Sequence, residues 1–386
     1  MSRVLFVVPP LMGHINPTVS VARELSARGH AVAWVGHARA LARALPPDAT
    51  RFALDDDVPD DVAAPIAARA TAARGAARLK LLWEEFFAPL ARQMVPGVDA
   101  AIDRWRPDVV VVDQQAVAGA IAARRRALPW VTFATTSAGV VDPLAGLPKV
   151  RAWLDELIAG LFAAAGVDAG PAPERSPYLV VAFSTRALVG DAALPGRVEF
   201  VGPSISDRPE PVDFPWSALR DGPRVLVTLG TVNARAGARF FGEVVEALGG
   251  GPIQVVLVAP RDCAPAAMPD NVLRRDFVPQ LALLPHVDAV VCHAGHNTVV
   301  EALAHGRPLV VAPIVDDQPV VAQQVVEAGA GIRVKFGRVR APALRDAVMR
   351  VLDESAFAEA ASRIAESFAR AGGAPRAADL IEEWMA

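Results

Sequence analysis

Residues 290–324 read VVCHAGHNTVVEALAHGRPLVVAPIVDDQPVVAQQ. The apolar run Ala289-Val290-Val291-Cys292 predicts a buried strand, which stops at His293-Ala294-Gly295-His296. Asn297 and Thr298 then open a helix with Val299, Val300 and Leu303 on its apolar face, and Gly306 ends it before a second strand from Pro308 to Ala312. The pattern is a βαβ unit whose first turn carries a small residue, a glycine and a cap. Backbone N–H groups at such a helix start point outward, and they bind phosphate by hydrogen bonding and through the helix dipole. His293 adds a donor that can become cationic. The second strand delivers Asp317 and Gln318 past its C-terminal end, the edge where ligands sit in open α/β sheets. A phosphate cradle and an acid–amide pair on one rim suit a ligand that is part anion, part polyol. A purely structural alternative exists for Thr298-Val-Val-Glu301, which fits a capping box in which the glutamate serves only the helix.

Working outward, the rest of the chain repeats this grammar. Arg3 to Val8 predicts the first strand and Pro9 to Ile15 the loop after it. Asn16-Pro17 reads as a cap and first helical position, with Gly29 as the stop. His30 to Val35 follows as a strand, Phe52 to Asp60 as an acidic loop, and Val62 to Arg104 as a long helical stretch broken near Pro89 or Pro96. Pro107 to Val112, without polar alternation, reads as a strand buried on both faces. Pro129 to Phe133 and Leu179 to Phe183 read as two more, with Ala138 to Ala165 mostly helical between them. Short Val-rich runs alternating with helical stretches predict a parallel sheet covered on both faces.

Ser204 to Pro223 holds four prolines and four acidic residues without apolar periodicity, which marks a linker. The strand–helix pattern then restarts: strand Arg224 to Leu229, Gly230-Thr231, helix Gly237 to Leu248, strand Gln254 to Val258. Helices are expected at Ala341 to Leu352, Ala356 to Arg370 and Pro375 to Met385. The expected organisation is an N-terminal domain over 1–203, the linker 204–223, a C-terminal domain over 224–370 and a terminal helix in 371–386. Each half is long enough to bury its own core.

Composition narrows the function. A chain that is 53% hydrophobic and 21% charged is not disordered. Its net charge is −3, and no Lys/Arg cluster exceeds Arg124-Arg125-Arg126, so no nucleic-acid footprint is present. Cys263 and Cys292 form neither a disulfide framework nor a zinc site, which points to the cytoplasm. Val4 to Val8 is too short for a signal-peptide core, and no apolar run approaches the ~20 residues that span a bilayer. A soluble protein, monomeric or homodimeric, is expected.

His14 and Asp113 both lie beyond strand C-termini of one sheet. A carboxylate on one ring nitrogen of a histidine leaves the other free as a base, and a pKa of about 6.5 suits removal of a hydroxyl proton. The alternative is a loop histidine and a strand-end aspartate meeting solvent.

Three ordered motifs carry a resemblance: Phe277-Val278-Pro279-Gln280, His293 to Glu301, and Pro313 to Gln318. In order and spacing they resemble the donor-binding signature of the family-one glycosyltransferases, inverting enzymes that use nucleotide-activated sugars, and in particular the bacterial natural-product and macrolide members. The N-terminal Gly13-His14-x-x-Pro17 and the segment ending Val112-Asp113 resemble the family's base and its partner. The resemblance implies a GT-B fold, with two Rossmann-like domains whose parallel sheets face each other across a cleft, and a last helix crossing back to the N-terminal domain. It implies that His14 deprotonates an acceptor hydroxyl while Asp113 orients it. Gly230, Thr231, His293, Gly295, Asn297 and Thr298 would hold the diphosphate, with Thr228 an inward strand residue that could exchange roles with Thr231. Phe277, where many members carry Trp, would stack on the pyrimidine. Gln280 and the backbone of Val278 would read the base edge, Glu301 the ribose, and Asp317 and Gln318 the hexose. The nucleotide sugar is then a substrate and no cofactor or metal is required. UDP-glucose is favoured over a dTDP-deoxysugar, and the acceptor is a lipophilic small molecule.

Other readings have less behind them. Asp55-Asp56-Asp57 contains an Asp-x-Asp that binds divalent ions in a different glycosyltransferase fold. Cys292 reads as a core thiol, and His296 as either bordering the phosphates or facing solvent. Trp83, Phe86, Phe87 and Leu90 lie at helical spacing and read as core, with the walls of an acceptor cleft as the alternative for some of them. A sugar-nucleotide epimerase shares the two-domain shape but has no use for a base at His14. The peptidoglycan N-acetylglucosaminyltransferase has a glycine-rich first loop that is absent here. A non-catalytic auxiliary relative should have lost the base or the phosphate groups. A dinucleotide dehydrogenase fails for want of Gly-x-Gly-x-x-Gly.

Overall fold

The computed structural model of the chain describes residues 1–55, 69, 73–191, 193–194, 196–205, 213–230 and 234–385. It divides into two compact units. The first comprises Met1–Phe183, Ala193–Ile205 and Gly372–Ala386; the second comprises Ser184–Ala192 and Ser206–Ala371.

The first unit runs β1 (Arg3–Val7), α1 (Met12–Ala27), β2 (Ala31–His37), α2 (Ala38–Ala44), β3 (Thr50–Leu54), α3 (Gly75–Leu82), a π-helical turn (Trp83–Phe87), α4 (Ala88–Trp105), β4 (Val109–Asp113), α5 (Val117–Arg125), β5 (Trp130–Ala134), α6 (Pro148–Ala164), β6 (Val180–Ala182) and β7 (Val198–Phe200). Its seven strands are all parallel, in the order β3-β2-β1-β4-β5-β6-β7. Val109 to Val112 are almost wholly buried, because helices cover both faces of the sheet. The order reverses between β1 and β4, whose register sets Val7 beside Val112. The chain therefore leaves these two strands from adjacent points, at the topological switch where such sheets open a crevice.

Three local expectations change. Helix α1 starts at Met12, capped by Leu11, whose carbonyl accepts from the N–H groups of His14 (2.9 Å) and Ile15 (3.1 Å). Pro17 lies inside the helix, where it removes only the donor that would reach the Gly13 carbonyl. The long helical stretch, described from Gly75 to Trp105, does not break at Pro89 or Pro96. Instead it widens into the π turn just before Pro89, with the Ala88 N–H reaching back to Trp83. Finally, part of the expected acidic loop is the edge strand β3, paired with β2, and β7 is a second edge strand that no sequence pattern announced.

The second unit contains α7 (Arg186–Val189), β8 (Arg224–Thr228), α8 (Ala238–Leu248), β9 (Gln254–Val258), β10 (Val272–Arg275), α9 (Gln280–Leu283), β11 (Ala289–Cys292), α10 (His296–Ala304), β12 (Leu309–Val311), α11 (Gln318–Glu327), β13 (Gly331–Arg333), α12 (Ala341–Asp353) and α13 (Ser355–Ala371). Its six strands are also parallel, ordered β10-β9-β8-β11-β12-β13. Here the switch lies between β8 and β11, where Thr228 pairs with Cys292. Of the stretch 204–223, residues 206–212 lie outside the described residues. Residues after them fold onto this unit: Phe214 enters its core, and the Gln254 side chain bonds Arg220 N–H and the Ala218 carbonyl, both at 2.7 Å.

The last helix, α14 (Gly373–Glu382), belongs to the first unit. Ala377, Ala378, Leu380 and Ile381 are fully buried there, in a cluster with Phe6, Ile15 and Leu25. Arg28 donates to Asp379 (2.7 Å) and Glu382 (2.9 Å) at the helix edge. Among the described residues no helix is long and apolar enough to cross a membrane.

Candidate active site

At the switch point of the first unit, a short loop from Val8 to Leu11 separates β1 from α1, which carries His14 in its first turn and not in the loop where the sequence suggested it. Leu11 supplies the cap, so the helix starts before the more conspicuous Asn16-Pro17. Asp113 is the last residue of β4. His14 Nδ1 lies 3.0 Å from both carboxylate oxygens, with the Asp113 side chain wholly buried and that of His14 13% exposed. The carboxylate also accepts the Gln115 N–H at 2.9 Å and the Thr135 hydroxyl at 2.7 Å. An ionised carboxylate only accepts, so Nδ1 bears the proton, and in the neutral imidazole the lone pair is on Nε2. Thr135 was not singled out from the sequence. Its only signal was the hydroxyl run Thr135-Thr136-Ser137 just past a buried strand.

At the switch point of the second unit, the cap of α10 is Gly295, not Asn297 or Thr298. Gly295 is extended (φ −64°, ψ 133°), and its carbonyl accepts the Val299 N–H at 3.1 Å. Asn297 and Thr298 are therefore first-turn residues, whose N–H groups are among those a helix start leaves without intrahelical acceptors. The Thr298–Glu301 capping box does not form, since Thr298 is not the cap. Instead Glu301, buried, accepts from Gln280 Nε2 at 2.6 Å. Two residues expected to meet the nucleoside thus hold each other.

His293 occupies a slot between two glycines. A Cβ on Gly230 would lie 2.8 Å from its Cε1, and one on Gly295 would lie 2.4 Å from its Nε2. Gly230 also has φ +67°, and Ala294 turns through φ +63°, a conformation that costs a non-glycine residue about 1–2 kcal/mol. His293 is 8% exposed, and its Nδ1 has no hydrogen-bond partner among the described residues. Burial pushes its pKa down to about 4. Burial thus opposes the cationic form that the sequence left open to His293, and a bound anion would have to favour it.

The remaining candidates fall as follows. Phe277 is 55% exposed, an unusual position for a large apolar ring, while Val278 packs against the core. Asp317 caps α11, next to Asp316 at φ +59°. Gln318 is buried, and its Oε1 accepts from the N–H groups of Ile314 (2.8 Å) and Val315 (3.0 Å). That oxygen is committed to shaping the loop, so only the amide N–H₂ can donate outward. Thr228 is buried and accepts the Gly230 N–H at 3.2 Å. Thr231, Asp56 and Asp57 lie outside the described residues. Among the described residues no group of three or more His, Cys, Asp or Glu side chains could hold a metal. Cys292 is a core thiol pushed up to about 12 by burial, and His296 is buried instead of facing solvent. Phe87 and Leu90 are core residues, with Trp83 and Phe86 half-buried against them.

Comparisons with known proteins bear on the family and the fold. Residues 244–383 match the family described as Erythromycin biosynthesis protein CIII-like, C-terminal domain. The chain is 34% identical to 4'-demethylrebeccamycin synthase of Lentzea aerocolonigenes, over 99% of both chains. It is 31% identical to demethyllactenocin mycarosyltransferase of Streptomyces fradiae, over 99% of this chain and 86% of that one. Among solved structures, the glycotransferase of kitacinnamycin superposes with a TM-score of 0.78 at 27% identity, over 100% of this chain and 99% of that one. Two parallel-sheet units, taken with this structural likeness, give the GT-B fold of glycosyltransferases. The chain belongs to the family-one glycosyltransferases.

The His293 slot has a consequence for stability. The unfolded histidine titrates near 6.5 and the folded one near 4, so the unfolded chain binds the extra proton between these values. Stability conferred at neutral pH is therefore lost as pH falls from 6.5 towards 4, at up to ~1.4 kcal/mol per pH unit. In denaturant unfolding of the second unit's transition, His293→Asn should remove this acid dependence. An unchanged pH slope would show that His293 is charged or solvated in the fold.

Proposed function

We propose that this glycosyltransferase is an inverting, metal-independent O-transferase that moves a hexose from a nucleotide diphosphate sugar to a hydroxyl of a lipophilic natural product. The observation that carries this reading is the locked His14 Nδ1, which leaves Nε2 as a base beside a buried carboxylate. His14 Nε2 takes the acceptor's hydroxyl proton, and the oxygen attacks the anomeric carbon opposite the nucleotide. The bond from that carbon to the diphosphate oxygen breaks, and its electron pair leaves with the nucleotide. Donors aimed at the departing group stabilise the transition state more than the ground state.

The second unit would supply those donors. The first turn of α10 and His293 would face the diphosphate, and the anion would favour protonation of a histidine that is neutral beforehand. Phe277 would stack on the base, with the Gln280–Glu301 pair presenting an already fixed amide and carboxylate to the nucleoside. The relatives' names support a natural-product acceptor. An epimerase reading leaves the His14–Asp113 pair without a task, and an auxiliary protein would have no need of it.

For the sugar, Asp317 can accept from two adjacent hydroxyls, with Gln318 mainly holding the loop. A site built to bond a hydroxyl rejects an analogue lacking it, because its own polar groups go unpaired. UDP-glucose, or another fully hydroxylated hexose, is therefore our choice over a dTDP-deoxysugar, although one relative is named for mycarosyl transfer.

His14→Ala should lower turnover on the order of 10²–10⁴-fold with donor affinity, read by calorimetry, little changed. Near wild-type turnover, with chemistry limiting, would reject His14 as the base. Competition between UDP-glucose and dTDP-deoxyhexoses, run in EDTA, should show undiminished rates and a higher kcat/KM for UDP-glucose. Preference for a donor lacking the 3- or 4-hydroxyl would remove the sugar assignment, and loss of activity in EDTA would remove metal independence.

A further inference from the structure

We propose that Thr135 is a positioning residue for the reaction, a third member of the assembly that fixes His14 as a base; the proposal rests on His14 having that role. Thr135 stands one residue beyond β5 and is 3% exposed. Strand β5 pairs with β4 so that Asp113 lies beside Phe133, and the Gln114 N–H bonds the Phe133 carbonyl at 3.0 Å. This register carries Thr135 to the carboxylate.

The hydroxyl has one proton and two lone pairs. Asp113 can only accept, so at 2.7 Å from Oδ2 the proton goes to the carboxylate. The oxygen's lone pairs then face His14 Nδ1 at 2.8 Å, nearer than either carboxylate oxygen at 3.0 Å. Nδ1–H therefore points into three oxygens at once. Meanwhile Oδ1 is held by the Gln115 N–H and Oδ2 by Thr135, so the carboxylate is pinned at both ends. With both ends pinned, the imidazole has one tilt that keeps its proton bonded, and Nε2 is aimed by that tilt. When Nε2 takes the substrate proton, the imidazolium's Nδ1–H bonds strengthen, and Thr135 shares that gain. A pair of His14 and Asp113 alone would leave the carboxylate a rotation about its own side chain.

The test compares Thr135→Val, isosteric but without the hydroxyl, Thr135→Ala and Thr135→Ser, each alone and in the His14→Ala background. Removing the hydroxyl should lower kcat by about 10- to 100-fold, less than loss of the base itself. KM for both substrates should stay within about twofold, and Thr135→Ser should recover most of the rate. In the His14→Ala background the same changes should cost nothing further, because residues acting as one unit are not additive. A threonine needed only for packing would instead lower melting temperature and act additively. Wild-type kcat in Thr135→Val or Thr135→Ala, beside a crippled His14→Ala, would overturn the Thr135 role while sparing His14. Equal losses in Thr135→Ser and Thr135→Val would overturn it as well. Wild-type turnover in His14→Ala would overturn the base reading and this proposal together.

Discussion

A carboxylate with no solvent exposure sits at the centre of the first unit. Burying an ion is costly unless hydrogen bonds and a counter-group replace water, and removing one partner from such a pair typically costs about 3–5 kcal/mol. Asp113 is satisfied by a backbone N–H just past β4, a hydroxyl just past β5 and an imidazole from the first turn of α1. That convergence depends on the parallel register, which sets Val7 beside Val112 and Asp113 beside Phe133. The all-apolar strands, the helices covering both faces and the switch between β1 and β4 all bear on this one point. The chemistry of His14 is thus inseparable from how the fold keeps a buried charge tolerable.

The second unit solves a different problem with the same topology. Its switch point brings Gly230 and His293 together, and the imidazole fits only because neither flanking residue has a Cβ. Burial pushes the ring's pKa down, and Ala294 accepts a left-handed backbone to make the turn. Strain and unpaired polar atoms of this kind persist where the surroundings over-determine them, which is where ligand sites are found. Gln318 adds rigidity by bonding two consecutive backbone N–H groups of the neighbouring loop.

The central strands were legible because an uninterrupted apolar run such as Val109 to Val112 suits a strand buried on both faces and little else. The edge strands β3 and β7 were not: they are short, half-exposed and carry charges such as Arg51 and Glu199, so they have neither a buried run nor a clean alternation. Asn16-Pro17 misled because it satisfies the local rules for a helix start, while the actual start at Leu11 has no side-chain cap to announce it. Ordered motifs revealed which residues gather on the ligand rims. They did not reveal pairings between them. The bond from Gln280 to Glu301 and that from Thr135 to Asp113 are set by strand register and helix phase, which single-residue chemistry does not encode. The slot that buries His293 likewise depends on two glycines, one of them far away in the chain.

The proposed chemistry is a single in-line displacement by an acceptor oxygen activated at His14. The configuration of the new glycosidic bond tests it most directly, read from the anomeric proton coupling of product made with an α-linked nucleotide hexose. One inversion predicts a β-glycoside. An α-glycoside would require two displacements or front-side attack and would contradict the role given to His14.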